Sequence, residues 1–177
     1  MARFEVISKY ATADLAIPVR KTEGSAGYDL AAAEDIIIPP YSLQYNNLIQ
    51  HNPQITPIEL ADLAALTKQL GARPTLVPTG LKCKLDPGTY LELSVRSSTP
   101  LKYWITLANG VGIIDQDYYN NPDNEGHIFL QMINWSPYPI HIPKGEAIGQ
   151  GIIKNYLTTE DDIAQGERLG GFGSTNG

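Results

Sequence analysis

The chain has 177 residues, 42% of them hydrophobic and 18% charged, with 13 basic against 19 acidic side chains and a net charge of −6. That composition supports one domain with its own core and excludes a disordered chain, while the shortage of Lys and Arg excludes a broad polymeric nucleic-acid footprint. Apolar runs of only a handful of residues exclude a membrane-spanning helix of ~20 residues, and a single cysteine, Cys83, excludes an internal disulfide or a cysteine zinc site.

No charged-then-apolar leader follows Met1, so a cytoplasmic location is expected. Gly 16 and Pro 13 punctuate the chain often enough to predict many short strands. The first candidates are 4–7 and 36–38. The next feature is different. Thr56 stands where a capping box begins, Pro57 suits a first helical position, and Ile55 and Leu60 occupy the staple positions. Leu60, Leu63, Leu66 and Leu70 then form a stripe that Gly71 ends, which predicts one helix over 57–70 inside a longer excursion, 44–74. Further strands are predicted over 79–85, 90–96, 105–107, 127–133, 140–142 and 147–153. In the two longest, Leu91, Leu93 and Val95, then Ile128, Leu130 and Met132, should face the core. Strands this short and this regularly spaced predict an all-β fold, a distorted antiparallel barrel or jelly roll, spanning 1–177 as one domain.

Five stretches concentrate glycine with polar residues: 26–30, 96–98, 109–118, 145–150 and 168–175. Each alone has a plain structural explanation as a solvated turn, a turn-initiating Asp or a loose terminus. Phe172 is less easily explained, because it sets a large ring in a glycine tail, where it suits a segment that closes over a flat ligand. Nearby Arg168, Ser174 and Thr175 would supply donors for phosphate oxygens.

Taken together and in this order, the five stretches, above all the tail Arg168-x-Gly170-Gly171-Phe172-Gly173-Ser174-Thr175, resemble the homotrimeric dUTPase family. The resemblance runs from Gly24 to Thr175 and is interrupted by the helical excursion and by a small insertion over 120–125. It implies the β-clip form of barrel and Mg²⁺-assisted attack of water on the α-phosphorus of dUTP, giving dUMP and pyrophosphate. Asp115 matches the water-activating Asp. Asn109 and the backbone of Gly110 to Ile114 match the uracil pocket, and Tyr118 matches the tyrosine against the deoxyribose. Arg96, Ser97, Ser98 and Gln150 match phosphate contacts, and Asp29 matches the Asp that reaches Mg²⁺ through water. Arg168, Phe172, Gly173, Ser174 and Thr175 match a flexible C-terminal arm, 166–177, that closes over a site shared between subunits. Several positions depart from the family pattern: Ser98, Thr99-Pro100, Trp104, and Tyr119-Asn120 with the longer loop that follows.

An insertion like 44–74 is familiar in bacteriophage and some bacterial members, which would place a phage-encoded enzyme in its host's cytoplasm. Two rivals follow from the same resemblance: a dCTP deaminase-like enzyme, and a module that binds a regulatory protein through 44–74. Cys83 is expected to be a buried structural thiol. His51, His127 and His141 are scattered without ligand spacing and are expected to bind no metal.

Overall fold

The computed structural model describes residues 1–51, 53, 57–164, 166, 168, 170 and 171. Eleven strands carry the fold: β1 (Arg3–Val6), β2 (Tyr28–Ala31), β3 (Ile36–Ile38), β4 (Thr75–Pro78), β5 (Leu81–Lys84), β6 (Thr89–Val95), β7 (Ile105–Leu107), β8 (Gly112–Ile114), β9 (Phe129–Asn134), β10 (Ile140–Ile142) and β11 (Ala147–Asn155). Every strand pairing is antiparallel, in a four-stranded sheet β2–β11–β6–β8, a three-stranded sheet β4–β9–β7, and the pairs β1–β5 and β10–β3. Among the described residues the hydrogen bonds form these four sheets rather than one closed ring, and the architecture is jelly-roll-like and all-β in class.

The alternation in the sequence decides which faces are buried. In β6 and β9, Leu91, Leu93, Leu130 and Met132 are at most 2% exposed, and together with Leu30, Val77 and Ile148 they fill the space between the sheets. Each such side chain contributes roughly 1.5–3 kcal/mol by leaving water. Val95, expected on the same face, is only half-buried because β6 runs out of the core there. A buried Asn134 ties β9 to its surroundings: Nδ2 donates to Ile38 O (3.0 Å) and Tyr138 O (2.7 Å), and Oδ1 accepts from the Ser136 N–H. Cys83 lies in the core, where burial pushes its thiol up to about 12.

The excursion contains two helices, not the one expected: α1 (Tyr41–His51) and α2 (Leu60–Leu70), packed on each other. The half-buried face of α1 includes Gln44, Asn47 and Leu48, while Tyr41 and Tyr45 stay exposed with Tyr41 against the Trp135 ring, so no apolar stripe announced it. The second helix begins at Leu60, with extended Glu59 as its N-cap residue, so Pro57 to Glu59 precede it. The expected cap Thr56 and staple residue Ile55 lie outside the described residues. Gly71 stops α2 as expected, in the left-handed conformation (φ 63°) with its N–H on Lys68 O and Thr67 O. A short third helix, α3 (Ser98–Tyr103), follows β6, ending on Trp104 at φ 57°. No helix among the described residues is long and apolar enough to cross a membrane.

Candidate functional site

The short strand β8 is an edge of the four-stranded sheet, paired to β6 with Leu91 opposite Ile114 and Leu93 opposite Gly112. Where β8 ends, Asp115 keeps an extended backbone (φ −76°, ψ 161°) before the chain tightens into a 3₁₀ turn over Gln116–Tyr118. The strand end holds the Asp115 carboxylate half-exposed at the junction of two spaces. The narrower, about 190 Å³, is lined by Leu93, Asn109, Gly112, Ile114, Tyr118, Phe129 and Gly171 among others. The wider cleft, about 690 Å³, is bounded by Tyr90, Gln116, Asp117 and Tyr156. Ile113, Asp115 and Arg168 border both. Gly110 shapes the turn beside the narrower space rather than lining it, with its N–H on Leu107 O.

Arg168 is the main counter-charge. Its Nη2 donates to Asp115 Oδ2 (2.5 Å) and its Nε to Asp117 Oδ1 (2.7 Å), and the guanidinium lies 5.9 Å from the centre of the Tyr118 ring. Two acidic side chains thus share one planar fork. Tyr118 is buried, and burial raises its phenol above the usual value. The hydroxyl donates to His127 O (2.9 Å), so the ring is a fixed wall. Gly171 lies so close to that wall that an added Cβ would stand 2.9 Å from Tyr118 Cε2.

A second cluster occupies the other end of the same sheet. Asp29 on β2, Gln150 on β11 and Ser94 on β6 form one cross-strand row. Arg96 pairs with Asp29 (Nε to Oδ1, 3.1 Å) and donates from Nη1 to Ala147 O (3.0 Å), while Gln150 Nε2 donates to Val95 O (3.3 Å). Ser97 and Ser98 start α3 directly beyond, and buried Thr99 fastens that turn to Ile148 O (2.9 Å).

The sequence-derived site residues therefore fall into two groups. Asn109, Gly110, Ile114, Asp115, Tyr118 and Arg168 gather at one end, and Asp29, Arg96, Ser97, Ser98 and Gln150 at the other. Strand register sets the separation: Ile114 opposite Leu91 puts Asp115 level with Tyr90, and Arg96 is six residues farther along, about 20 Å at ~3.3 Å per residue. Phe172, Gly173, Ser174 and Thr175 lie outside the described residues. Sequence reasoning missed Tyr90, Asp117 and Tyr156 as cleft residues. Asp117 carried a signal, two positions after Asp115 in the same polar stretch, whereas the tyrosines resembled ordinary strand residues.

Among the described residues no three His, Cys, Asp or Glu side chains converge as a metal cage. The available donors are Asp29 beside Arg96, and Asp115 with Asp117 on a shared Arg168, a sparse set suited to Mg²⁺, which takes one or two carboxylates, water and ligand phosphates.

A family model described as dUTPase matches residues 58–176. The chain is 41% identical over 174 residues to a deoxyuridine 5′-triphosphate nucleotidohydrolase of Lactococcus lactis subsp. lactis, covering 97% of this chain and 95% of that protein. It is similar to the crystal structure of the dUTPase from Streptococcus mutans, with 35% identity, a TM-score of 0.68, and coverage of 89% of this chain and 98% of that one. The fold is also shared with a dUTPase of phage phi11 of S. aureus, whose structure describes the coordination of a structural Mg(II) ion. There the identity is 15%, the TM-score 0.60, and the coverage 96% of this chain and 98% of that one.

Proposed function

The chain belongs to the dUTPase family and hydrolyses dUTP to dUMP, and on that premise we propose that Asp115 activates the attacking water, with the base seated in the narrower space and the phosphates toward the cleft. The observation that carries this reading is the position of Asp115 on the border of both spaces, at a rigid strand end. Its carboxylate orients a water and accepts its proton as the oxygen bonds to the α-phosphorus; the bond to the bridging oxygen breaks and pyrophosphate leaves. Asn109 and the backbone of 112–114 read the uracil edge, Gly110 turns the chain beside them, and the Tyr118 ring packs on the deoxyribose. Arg96, Ser97, Ser98 and Gln150 hold phosphate oxygens.

Mg²⁺, bound chiefly through the triphosphate with Asp29 reaching it by way of water, would supply charge neutralisation at the phosphates. Asp29, a lone carboxylate beside Arg96, fits that arrangement. Arg168 and the arm residues Phe172, Gly173, Ser174 and Thr175 would close the site, the guanidinium exchanging its aspartates for phosphate.

The register supports a site shared between subunits. A nucleotide whose base sits in the narrower space beside Asp115 would not also bring its phosphates to Arg96 of the same chain, about 20 Å away along β6. A second copy that presents its Arg96 end to the first copy's Asp115 end completes the site, and a closed cyclic trimer repeats that contact three times.

The test is pyrophosphate release from dUTP, dTTP, dCTP and UTP with Mg²⁺, for the wild type and Asp115→Asn. We expect dUTP to be strongly preferred, and the variant to retain binding of a non-hydrolysable dUTP analogue while losing at least about 10²-fold in turnover, the usual scale for a positioned base. Undiminished turnover in the variant removes Asp115 from the role, and ammonia release from dCTP would mark a deaminase instead.

A further inference from the structure

We propose that Asn124 is a positioning residue that sets sugar selectivity by holding Tyr118; the inference rests on Tyr118 being the deoxyribose wall. Asn124 lies in the 120–125 segment that departs from the family pattern. It is built around Tyr118. Asn124 Nδ2 donates to the Tyr118 hydroxyl (2.9 Å), and Asn121 Nδ2 donates to the Tyr118 carbonyl (2.8 Å). The two amides also support each other: Asn124 Oδ1 accepts from Asn121 Nδ2 (2.9 Å) and from the Gly126 N–H (3.0 Å). Asn121 Oδ1 takes the N–H groups of Asp123 and Asn124 (3.1 Å each), and the residue is only 4% exposed.

The backbone accepts strain to make this grip. Asn120 and Glu125 both adopt left-handed conformations (φ 58° and 61°), which Asn tolerates but Glu avoids unless its surroundings enforce it. Gly126 (φ 82°) lies so close that an added Cβ would stand 2.6 Å from Tyr118 O. Outward anchors enforce the shape. Lys82 Nζ donates to Asn120 Oδ1 (2.6 Å), Glu125 accepts from the N–H and hydroxyl of Ser8 (3.2 and 3.0 Å), and Tyr119 donates to Glu5 (2.7 Å). A loop that merely connected β8 to β9 would need neither a strained Glu125 nor two amides aimed at one tyrosine.

The consequence is chemical. The Tyr118 hydroxyl donates to His127 O and accepts from Asn124, so it has a partner on each side within its own chain. The ring then presents an immobile apolar wall. A ribose 2′-hydroxyl pressed against it finds no partner and is rejected through an unmade hydrogen bond. Without Asn124 the hydroxyl regains an acceptor site and the ring can tilt, so the wall tolerates the extra hydroxyl.

The experiment measures kcat/KM for dUTP and UTP in the wild type, Asn124→Ala, Tyr118→Phe, Tyr118→Ala and the Tyr118→Phe/Asn124→Ala double variant, with Tm recorded for each. Asn124→Ala should lower the dUTP-to-UTP preference about tenfold, mostly through a lower KM for UTP. In the Tyr118→Phe background the same change should add less than about twofold, since residues acting through one contact are not additive. If Asn124→Ala lowers Tm and slows both nucleotides equally, the residue is only structural and the inference falls. Should that variant fail to fold, Tyr118→Phe decides from the other side of the bond: a reduced preference supports the tether, and an unchanged one overturns it. An unchanged preference in Tyr118→Ala would instead show that Tyr118 is not the sugar wall. A loss in Tyr118→Ala with none in Asn124→Ala or Tyr118→Phe would leave that reading intact and reject the role of Asn124.

Discussion

The backbone of His127 receives the Tyr118 hydroxyl, and its own imidazole is buried. Nε2 accepts the Gly80 N–H at 3.0 Å, and the ring lies against Phe129 (3.9 Å between centroids) and Tyr10 (5.6 Å). A second proton would destroy the first contact and place a cation among aromatic rings. Burial, with the nearby Lys9 charge, therefore lowers its pKa to about 4, against a smaller opposing pull from Glu125. The native state thus stays neutral at this ring until about pH 4, whereas the unfolded chain takes its proton at about 6.5. The unfolded state binds more protons in that window, so stability from this group is complete above pH 6.5 and is lost as pH falls toward 4, by up to ~1.4 kcal/mol per pH unit. Urea unfolding at pH 7.5, 6 and 5 should show wild type losing more stability on acidification than His127→Gln. Comparing the two proteins cancels the carboxylates common to both. Parallel pH curves for the two would contradict a neutral buried imidazole.

At the scale of elements, β6 and β9 were legible because alternation over six or seven residues is a statement about one buried face, and Leu91, Leu93, Leu130 and Met132 do lie in the core. Strands β2, β4 and β8 were not, because their residues also serve turns and motif stretches, which hides the strand pattern. Thus β8 is Gly-Ile-Ile beside a turn, and β4 ends on Pro78. The site followed another logic: Asp115, Asn109 and Tyr118 were legible through the resemblance carried by the glycine-rich stretches, yet their distance from Arg96 depends on register, which no local pattern encodes. The helix pair was half legible, through the leucine stripe of α2 alone. No side chain of α1 or α2 is fully buried, and Gln44 Nε2 reaches Arg73 O at 3.0 Å, so the two ends of the excursion meet. Replacing residues 45–71 with a short Gly-Ser linker should therefore change Tm by only a few degrees and dUTP turnover by less than about twofold, since long surface insertions cost little loop entropy. A large loss of turnover would mean that the helices contribute to the site.

For the whole molecule, the spread of the five glycine-rich stretches acquires a geometric meaning. Their described residues lie at two ends of one sheet, with β6 as the rod between them, and each end holds an arginine already paired with aspartate, Arg96 with Asp29 and Arg168 with Asp115 and Asp117, so an acidic chain with net charge −6 would need Mg²⁺ beside those arginines to hold a triphosphate. If Asp115 of one copy works with Arg96 of another, two dead variants should rescue each other. Asp115→Asn chains retain Arg96, and Arg96→Ala chains retain Asp115. In oligomers assembled at random from equal amounts, a site is intact only when its Arg96 comes from the first kind of chain and its Asp115 from the second. Each condition is met half the time, which predicts about a quarter of wild-type activity per site from two nearly inactive parents in a closed symmetric assembly. Co-expression with two affinity tags, purification through both, and a pyrophosphate assay would measure it. Since assemblies with only one kind of chain are then excluded, the recovered fraction should slightly exceed the random value. Doubly tagged oligomers no more active than their parents would show that no site draws Arg96 and Asp115 from different chains. The 20 Å between them along β6 would then have to be closed by rearrangement within one chain, a rearrangement the continuous β6–β11 ladder opposes at every residue from Thr89 to Val95.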